Sequence, residues 1–389
     1  MNKGWVEKRL DAVAEFSQGI QVGLGDQSNA PAKGLVRFIR IIDYTQGTDD
    51  IRYVQDPGLR YWADKSDIVM VRYGTPGLVG RGIEGVIANN LFKISILDGS
   101  LTKDFLAYFL SQQTVQTFLS SQGSSTMPAL TFTQLGAVVV PVPPLAEQQR
   151  IVGLLDEAFE GLATAKANAE KNLQNARALF ESHLQSVFTQ RGPGWKQKTL
   201  EEIATTFGRG KSKHRPRNEP KLYGGKYPFI QTGDIRNADH FITGYSQTYS
   251  ELGLAQSKLW PKGTICITIA ANIAETAILG FDACFPDSVI GVVANPKEAE
   301  VGFIEYLLQS FKARIQALGK GSAQANINMG TFENERFPFP PVAEQKEIVA
   351  KFDALTEKTQ RLARLYEQKL AALEALKKSL LHQAFTGEL

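Results

Sequence analysis

The sequence predicts an α+β protein built twice: two homologous mixed heads, each closing on a long helix. Three observations carry this. "PPLAEQQRIV" at Pro143 returns as "PPVAEQKEIV" at Pro340, 197 positions on. Each copy opens a run free of proline, to Phe188 in the first and Phe385 in the second, rich in Ala, Leu, Glu, Lys and Gln. The segments before these runs alternate apolar stretches with Gly, Pro and Asp turns, the pattern of short strands.

Taken in chain order, the repeat extends through the heads. "WVEKRLDAVAEF" at Trp5 matches "WKQKTLEEIATTF" at Trp195, and "RFIRIIDY" at Arg37 matches "PFIQTGDI" at Pro228. "DIVMVRYG" and "GTICITIA" read as strands. "FLAYFLSQ" at Phe105 and "FIEYLLQS" at Phe303 follow, then the Gly-Ser loops "QGSSTMPALT" and "KGSAQANINM". The expected divisions are 1–142 for the first head, 143–190 for its helix, 191–340 for the second head and 341–389 for its helix. Proline fits just before a helix because the first turn has no use for its missing N–H.

Apolar residues recur in steps of three and four, which predicts a coiled-coil seam. In the first helix they include Ile151, Leu155, Leu162 and Leu173. In the second they include Ile348, Phe352, Leu362 and Leu373, with Thr359 the one break in the stripe. Each helix would be roughly 65 Å long at about 1.5 Å per residue. A head with a radius of gyration near ~15 Å cannot bridge that length between parallel helices. The helices are therefore expected to pair antiparallel as a spacer, with one head at each end and an approximate two-fold axis. Two unlike heads on such an axis suit duplex DNA, whose major-groove faces recur about every 34–36 Å. The expected target is split and asymmetric.

Composition excludes little. Of 389 residues, 43% are hydrophobic and 21% charged, with 43 basic and 40 acidic side chains giving a net charge of +3. A neutral total still permits a local basic patch. The N-terminus lacks an apolar signal core and no run is long enough to span a bilayer, so a cytoplasmic protein without membrane contact is expected. Cys266 and Cys284, with no histidine cluster nearby, predict neither a metal site nor a disulfide.

The paired "PPLAEQ" and "PPVAEQ" helix starts, with "YPFIQTGDI" and the terminal "SLLHQAFTGEL", resemble the specificity subunits of type I restriction–modification systems over essentially the whole chain. The resemblance implies that each head is a target-recognition domain for one half of a bipartite double-stranded DNA site. It implies that the helices hold methyltransferase subunits, two of them, with a translocating restriction nuclease as a further partner. It also implies no catalytic role and no cofactor on this chain; S-adenosylmethionine is expected on the methyltransferase.

The strongest local signal for DNA is "GRGKSKHRPR", with Arg209, Lys211, Lys213, His214, Arg215 and Arg217 and no acidic residue. Such a loop can follow phosphates and release counterions. Its "GKS" mimics a P-loop, but Thr205 stands where the motif requires glycine. Strand ends offer Arg40 and Asp43 in the first head, and Gln231, Thr232 and Asp234 in the second. Arginine and glutamine suit base edges, and aspartate accepts from cytosine. Asp43 and Asp234, paired across the repeat, fit equally well as turn or capping residues. Further candidates are Arg72, Arg81, Thr268 and Asn272, with Ser124, Ser125, Gln324, Asn326 and Asn328 in the Gly-Ser loops. The adenine methyltransferase motif Asn/Asp-Pro-Pro-Tyr/Phe is absent, because each double proline precedes Leu or Val. "FPDSV" at Phe285 starts like a nuclease motif but lacks the acid and lysine that would follow, and reads as a structural loop. A protein-binding scaffold on a coiled coil is the competing reading.

Overall fold

The computed structural model describes residues 4–47, 49–121, 129–214, 216–270, 272–319, 327 and 329–389. The first part of the chain forms β1 (Val6–Arg9), β2 (Ala14–Gln18), β3 (Leu35–Ile39), α1 (Ile41–Thr45), β4 (Arg52–Gln55), β5 (Trp62–Ala63), β6 (Ile68–Val71), β7 (Val79–Gly80), β8 (Gly85–Ile87) and β9 (Leu91–Ile96). Next come α2 (Lys103–Leu110), α3 (Gln113–Ser121), α4 (Phe132–Gly136), β10 (Val139–Val142) and the long α5 (Leu145–Thr189). The second part repeats this as β11 (Lys196–Lys198), β12 (Ala204–Arg209), β13 (Tyr223–Phe229), α6 (Thr232–Arg236), β14 (Phe241–Ile242), β15 (Gln247–Tyr249), α7 (Glu251–Ala255), β16 (Leu259–Trp260), β17 (Ile265–Thr268), β18 (Thr276–Leu279), β19 (Ala283–Cys284) and β20 (Val289–Ala294). It closes with α8 (Val301–Gly319), α9 (Met329–Glu333), β21 (Phe337–Phe339) and the long α10 (Val342–Thr386).

Two compact units divide both long helices. Unit 1 holds residues 1–170 and 367–389; unit 2 holds 171–366. Each unit has three sheets on one plan, with β14 added at the edge of one sheet in unit 2. In unit 1 the strand orders are β2-β9-β6-β7, β4-β3-β8-β5 and β1-β10. In unit 2 they are β12-β20-β17-β18-β14, β15-β13-β19-β16 and β11-β21. The strands β6 and β17 are buried along their whole length, which explains their apolar sequences, broken only by Thr268 at the end of β17. Strand alternation then serves two cores. Ile68 and Met70 face the cluster under α2, and Val69 and Val71 face the other side. Ile265 and Ile267 are divided from Cys266 in the same way. Cys266 and Cys284 are both free and buried.

The doubled "AEQ" has a structural purpose. Gln148 and Gln345 are each fully buried. Gln148 Nε2 donates to the Ser100 and Pro143 carbonyls at 2.8 and 2.9 Å, and its Oε1 accepts the Thr102 N–H at 2.8 Å. Gln345 Nε2 donates to the Glu298 and Pro340 carbonyls at 3.2 and 2.8 Å, and its Oε1 accepts the Glu300 N–H at 2.9 Å. One amide thus ties the last strand, the loop before α2 or α8, and the helix start into a single joint.

Within each unit the two helix segments run antiparallel. In unit 1, Arg150 donates to the Leu389 carbonyl at 2.8 Å, and Lys377 lies over the Phe159 ring at 5.2 Å. In unit 2, Phe188 stacks on Phe352 at 6.1 Å, while Ala176 and Phe180 line a hollow with Thr356, Thr359 and Ala363. Ile151, Leu155, Ile348 and Phe352 are buried, and Leu162 and Leu173 are half-buried. The stripe needs correction at two places. Thr359 is buried, its hydroxyl satisfied by the Leu355 carbonyl at 2.9 Å, whereas Leu362 is 39% exposed and Ala363 takes the inward place. Leu373 stays half-buried.

Candidate nucleic-acid interface

In unit 2 two turns converge on the basic loop. Glycine at 210 is required there. A Cβ would lie 2.2 Å from the Phe285 carbonyl oxygen and 2.4 Å from that of Pro286. The loop is therefore pressed against the turn 285–288, and Gly210 donates to the Val289 carbonyl at 2.9 Å. Asp287 in that turn organises the arginines. Arg217 grips its carboxylate through two 2.8 Å hydrogen bonds, and Arg209 Nε donates to its carbonyl at 2.6 Å. This gives "FPDSV" the structural role read for it. From the other side the turn 256–258 is tied in: Ser257 donates to the Lys211 carbonyl at 2.8 Å, and His214 N–H donates to Gln256 at 3.1 Å.

Lys211 and Lys213 are exposed. Lys258, not singled out from the sequence, sits with its ammonium 3.6 Å from the centre of the Trp260 ring. Its burial, together with the positive charge of Lys211, lowers its pKa below the ordinary lysine value. An anion brought to this place would relieve that repulsion. Beside the loop a cleft of about 340 Å³ is lined by Arg217, Asn218, Tyr223, Gln231, Thr232 and Gln247, among others.

The turn into α6 is set by Asp234, whose Oδ2 accepts the Gln231 N–H at 2.8 Å. The turn into α1 is built identically: Asp43 Oδ2 accepts the Arg40 N–H at 2.7 Å. Asp43 has a fully buried side chain that also meets Arg37 at 3.3 Å and Arg40 Nε at 3.4 Å. Both aspartates are therefore capping residues, and Asp43 has no face left for a base. Around the α1 turn Asp50 pairs with Arg52 Nε at 2.9 Å and with Arg40 at 3.3 Å. The hydrogen bond from Arg52, then that from Arg40, holds Asp50 below the ordinary carboxylate range. Arg37 and Arg52 were missed in the sequence. The signal for Arg52 lies in strand register, since it pairs across β3–β4 with Phe38.

The remaining candidates scatter. Thr268 is corrected: it is fully buried in β17, where its hydroxyl donates to the Asn272 carbonyl and accepts the Glu275 N–H at 3.0 Å, so it cannot meet DNA. Asn272 Oδ1 lies 3.5 Å from Arg236. Arg72 packs over Phe92 and Tyr73, and Arg81 pairs with Asp104 at 2.5 Å. Arg215, Ser124, Ser125, Gln324, Asn326 and Asn328 lie outside the described residues. No described helix is long and apolar enough to cross a membrane.

Two α+β units that keep one scaffold and vary the side chains at one equivalent turn define a paired recognition protein. The chain belongs to the type I restriction modification DNA specificity domain family, which it matches over residues 2–173 and again over 193–374. It is 22% identical to the type I restriction enzyme EcoBI specificity subunit of Escherichia coli, across 100% of this chain and 87% of that one. It is 24% identical to a Methanocaldococcus jannaschii protein bearing the name of a type I restriction enzyme MjaX specificity subunit; that match covers 66% of this chain and 60% of the relative's length. Its fold matches a chain solved in work on complex assembly and conformational transition of the type I R-M system. The TM-score is 0.81 at 19% identity, covering 100% of this chain and 99% of that one.

Proposed function

We propose that this chain is the DNA-recognition subunit of a type I restriction–modification assembly, each unit reading one half of a split, asymmetric double-stranded target. One observation carries the reading. The capping aspartates 43 and 234 and the buried glutamines 148 and 345 are alike in both units, while the half-buried residues beside the caps, Arg40 and Gln231, differ. That is what one scaffold aimed at two sequences requires. Within this reading Lys211, Lys213, Arg209, Arg217 and Lys258 neutralise phosphates, and residues at the two capped turns face base edges.

The reading gives this chain no catalytic group and no cofactor of its own. Methylation belongs to partner methyltransferase subunits, two per assembly, carrying S-adenosylmethionine and held on the long helices, whose length sets the unread gap. A translocating nuclease subunit completes the assembly in hosts that encode one, and the site of action is the cytoplasm. The test is a genome-wide map of methylated adenines in source cells with the gene intact and deleted. A split motif that loses methylation on deletion is expected. An unchanged map would put the scaffold reading in its place.

A further inference from the structure

Four side chains occupy two equivalent places. In unit 1, Arg40 holds the N-cap position of α1, and Arg52 is the antiparallel strand partner of Phe38. In unit 2, Gln231 holds the N-cap position of α6, and Gln247 is the antiparallel strand partner of Phe229. Phe38 and Phe229 themselves correspond, each also pairing with a parallel strand, at Val86 and Cys284. So Arg40 and Arg52 stand where Gln231 and Gln247 stand in the other unit.

The two pairs are joined in their own ways. Asp50 bridges the arginines, at 3.3 Å to Arg40 and 2.9 Å to Arg52. Gln231 Nε2 donates directly to Gln247 Oε1 at 2.8 Å. What each pair has left to offer follows from its chemistry. A guanidinium carries five N–H donors and no acceptor. Arg40 also spends N–H groups on Asp43 and on the Asp50 carbonyl, and Arg52 on Asn29 and the second Asp50 oxygen, so what the two arginines have left is the remaining N–H of each terminal nitrogen, donors only. The linked amides use one N–H and one C=O between them. Whichever amide donates, one C=O and one NH₂ stay available. Guanine shows two acceptors, O6 and N7, in the major groove, whereas adenine shows the N7 acceptor beside the N6 donor.

We infer that these equivalent pairs are the specificity-determining residues of the two units: Arg40 with Arg52 reads a guanine in one half-site, and Gln231 with Gln247 reads an adenine in the other. This rests on the recognition role proposed above. A pair serving only to close the turn would have no reason to change from Arg–Arg to Gln–Gln. The surrounding frame does not change: Asp43 and Asp234 cap alike, and Gly19 and Gly210 make the same close approach, a Cβ at either lying 2.2 Å from a backbone oxygen.

The test complements a strain deleted for the gene with the wild-type chain, with Gln231→Arg/Gln247→Arg, and with Gln247→Ala alone, then maps methylated adenines. The wild-type motif should hold a guanine in one half and an adenine in the other. The double variant should turn one adenine position to guanine in one half only, leaving the other half and the gap unchanged. Gln247→Ala should relax that same position by roughly ten- to a hundredfold in discrimination, and it decides the matter if the double variant fails to fold. A gene-dependent motif that stays identical in Gln247→Ala would overturn the inference while leaving the recognition role standing. Absence of any gene-dependent motif with the wild-type chain would remove both.

Discussion

Tyr306 donates its hydroxyl to Asp353 at 2.7 Å, and the repeat makes the same bond between Tyr108 and Asp156. In each unit a helix of the head is thereby pinned to the first turns of the long helix that follows it. Burial, with the neighbouring carboxylate, raises the pKa of both phenols, so both stay protonated donors. Tyr306 is 2% exposed, whereas Tyr108 is half-buried. Asp353→Ala should therefore cost about 1–3 kcal/mol, the penalty of a buried hydroxyl left without a partner. Asp156→Ala should cost less, because water reaches Tyr108. Urea unfolding of the two variants checks this, and equal losses would show that the hydroxyl's burial is not what matters.

The glutamine joint makes a sharper demand. Gln345→Ala removes three hydrogen bonds and strands the Glu300 N–H and the Pro340 carbonyl. At about 1 kcal/mol per bond the expected loss is about 2–4 kcal/mol. Gln148→Ala should lose a similar amount, since its three partners are equivalent. Gln345→Glu should do no better than alanine, because a carboxylate cannot donate to the two carbonyls and would be buried with its charge. A thermal melt unaffected by either substitution would contradict the joint.

Much of this was legible in the sequence, and the reasons are physical. The duplicated helix starts, the strand patterns and the apolar stripe follow from local periodicity, which a chain displays without its tertiary partners. The close approach at Gly210 and the grip of Asp287 on Arg217 were not legible, because they join segments about 70 residues apart. Thr268 looked available as a polar residue on a loop side, yet the Asn272 and Glu275 backbone groups had already claimed its hydroxyl. Arg52 and Gln247 became visible only through strand register, which spacing alone does not fix.

Seam position can be separated from mere apolarity. Leu373→Asp places a carboxylate in a half-buried seam site and should cost about 1–3 kcal/mol. Leu362→Asp, at a site 39% exposed, should stay within about 0.5 kcal/mol. Circular dichroism melts of both variants decide. A large loss from Leu362→Asp in the free chain would mean that the helices pack on the leucine rather than on Thr359 and Ala363.

Stability should carry a histidine signature in unit 2. His240 Nδ1 lies 2.8 Å from Glu305, whose side chain is fully buried and is also held by Thr276 at 2.9 Å and Gln309 at 2.6 Å. Burial alone would lower the His240 pKa. The Glu305 hydrogen bond and charge, with Asp353 and Glu300 beyond, outweigh it and raise the pKa above the ordinary 6.5. A raised pKa stabilises the fold fully below the unfolded value and loses that contribution as pH climbs through the folded value. The melting-temperature gap between wild type and His240→Gln should be widest below about pH 6 and should narrow toward pH 8. A gap independent of pH would mean that His240 titrates alike in the folded and unfolded chain, and a gap that narrows or reverses at low pH would mean that the fold holds it neutral.

Phosphate grip and base reading should come apart under salt. Lys211 and Lys213 are exposed on the basic loop, and neither touches the cleft that holds Gln231 and Gln247. Replacing both lysines with alanine removes two positive charges without disturbing the Asp287 anchor. For the complete assembly with its methyltransferase partners, the slope of log K against log salt should become shallower by about 0.9 for each phosphate no longer neutralised, or about 1.8 for the pair. Affinity should fall by the same factor on matched and mismatched duplexes, because phosphates carry no sequence. A titration between low and moderate salt on both duplexes measures this. An unchanged slope would take the loop off the DNA; a changed preference between duplexes would move these lysines from the backbone to the bases.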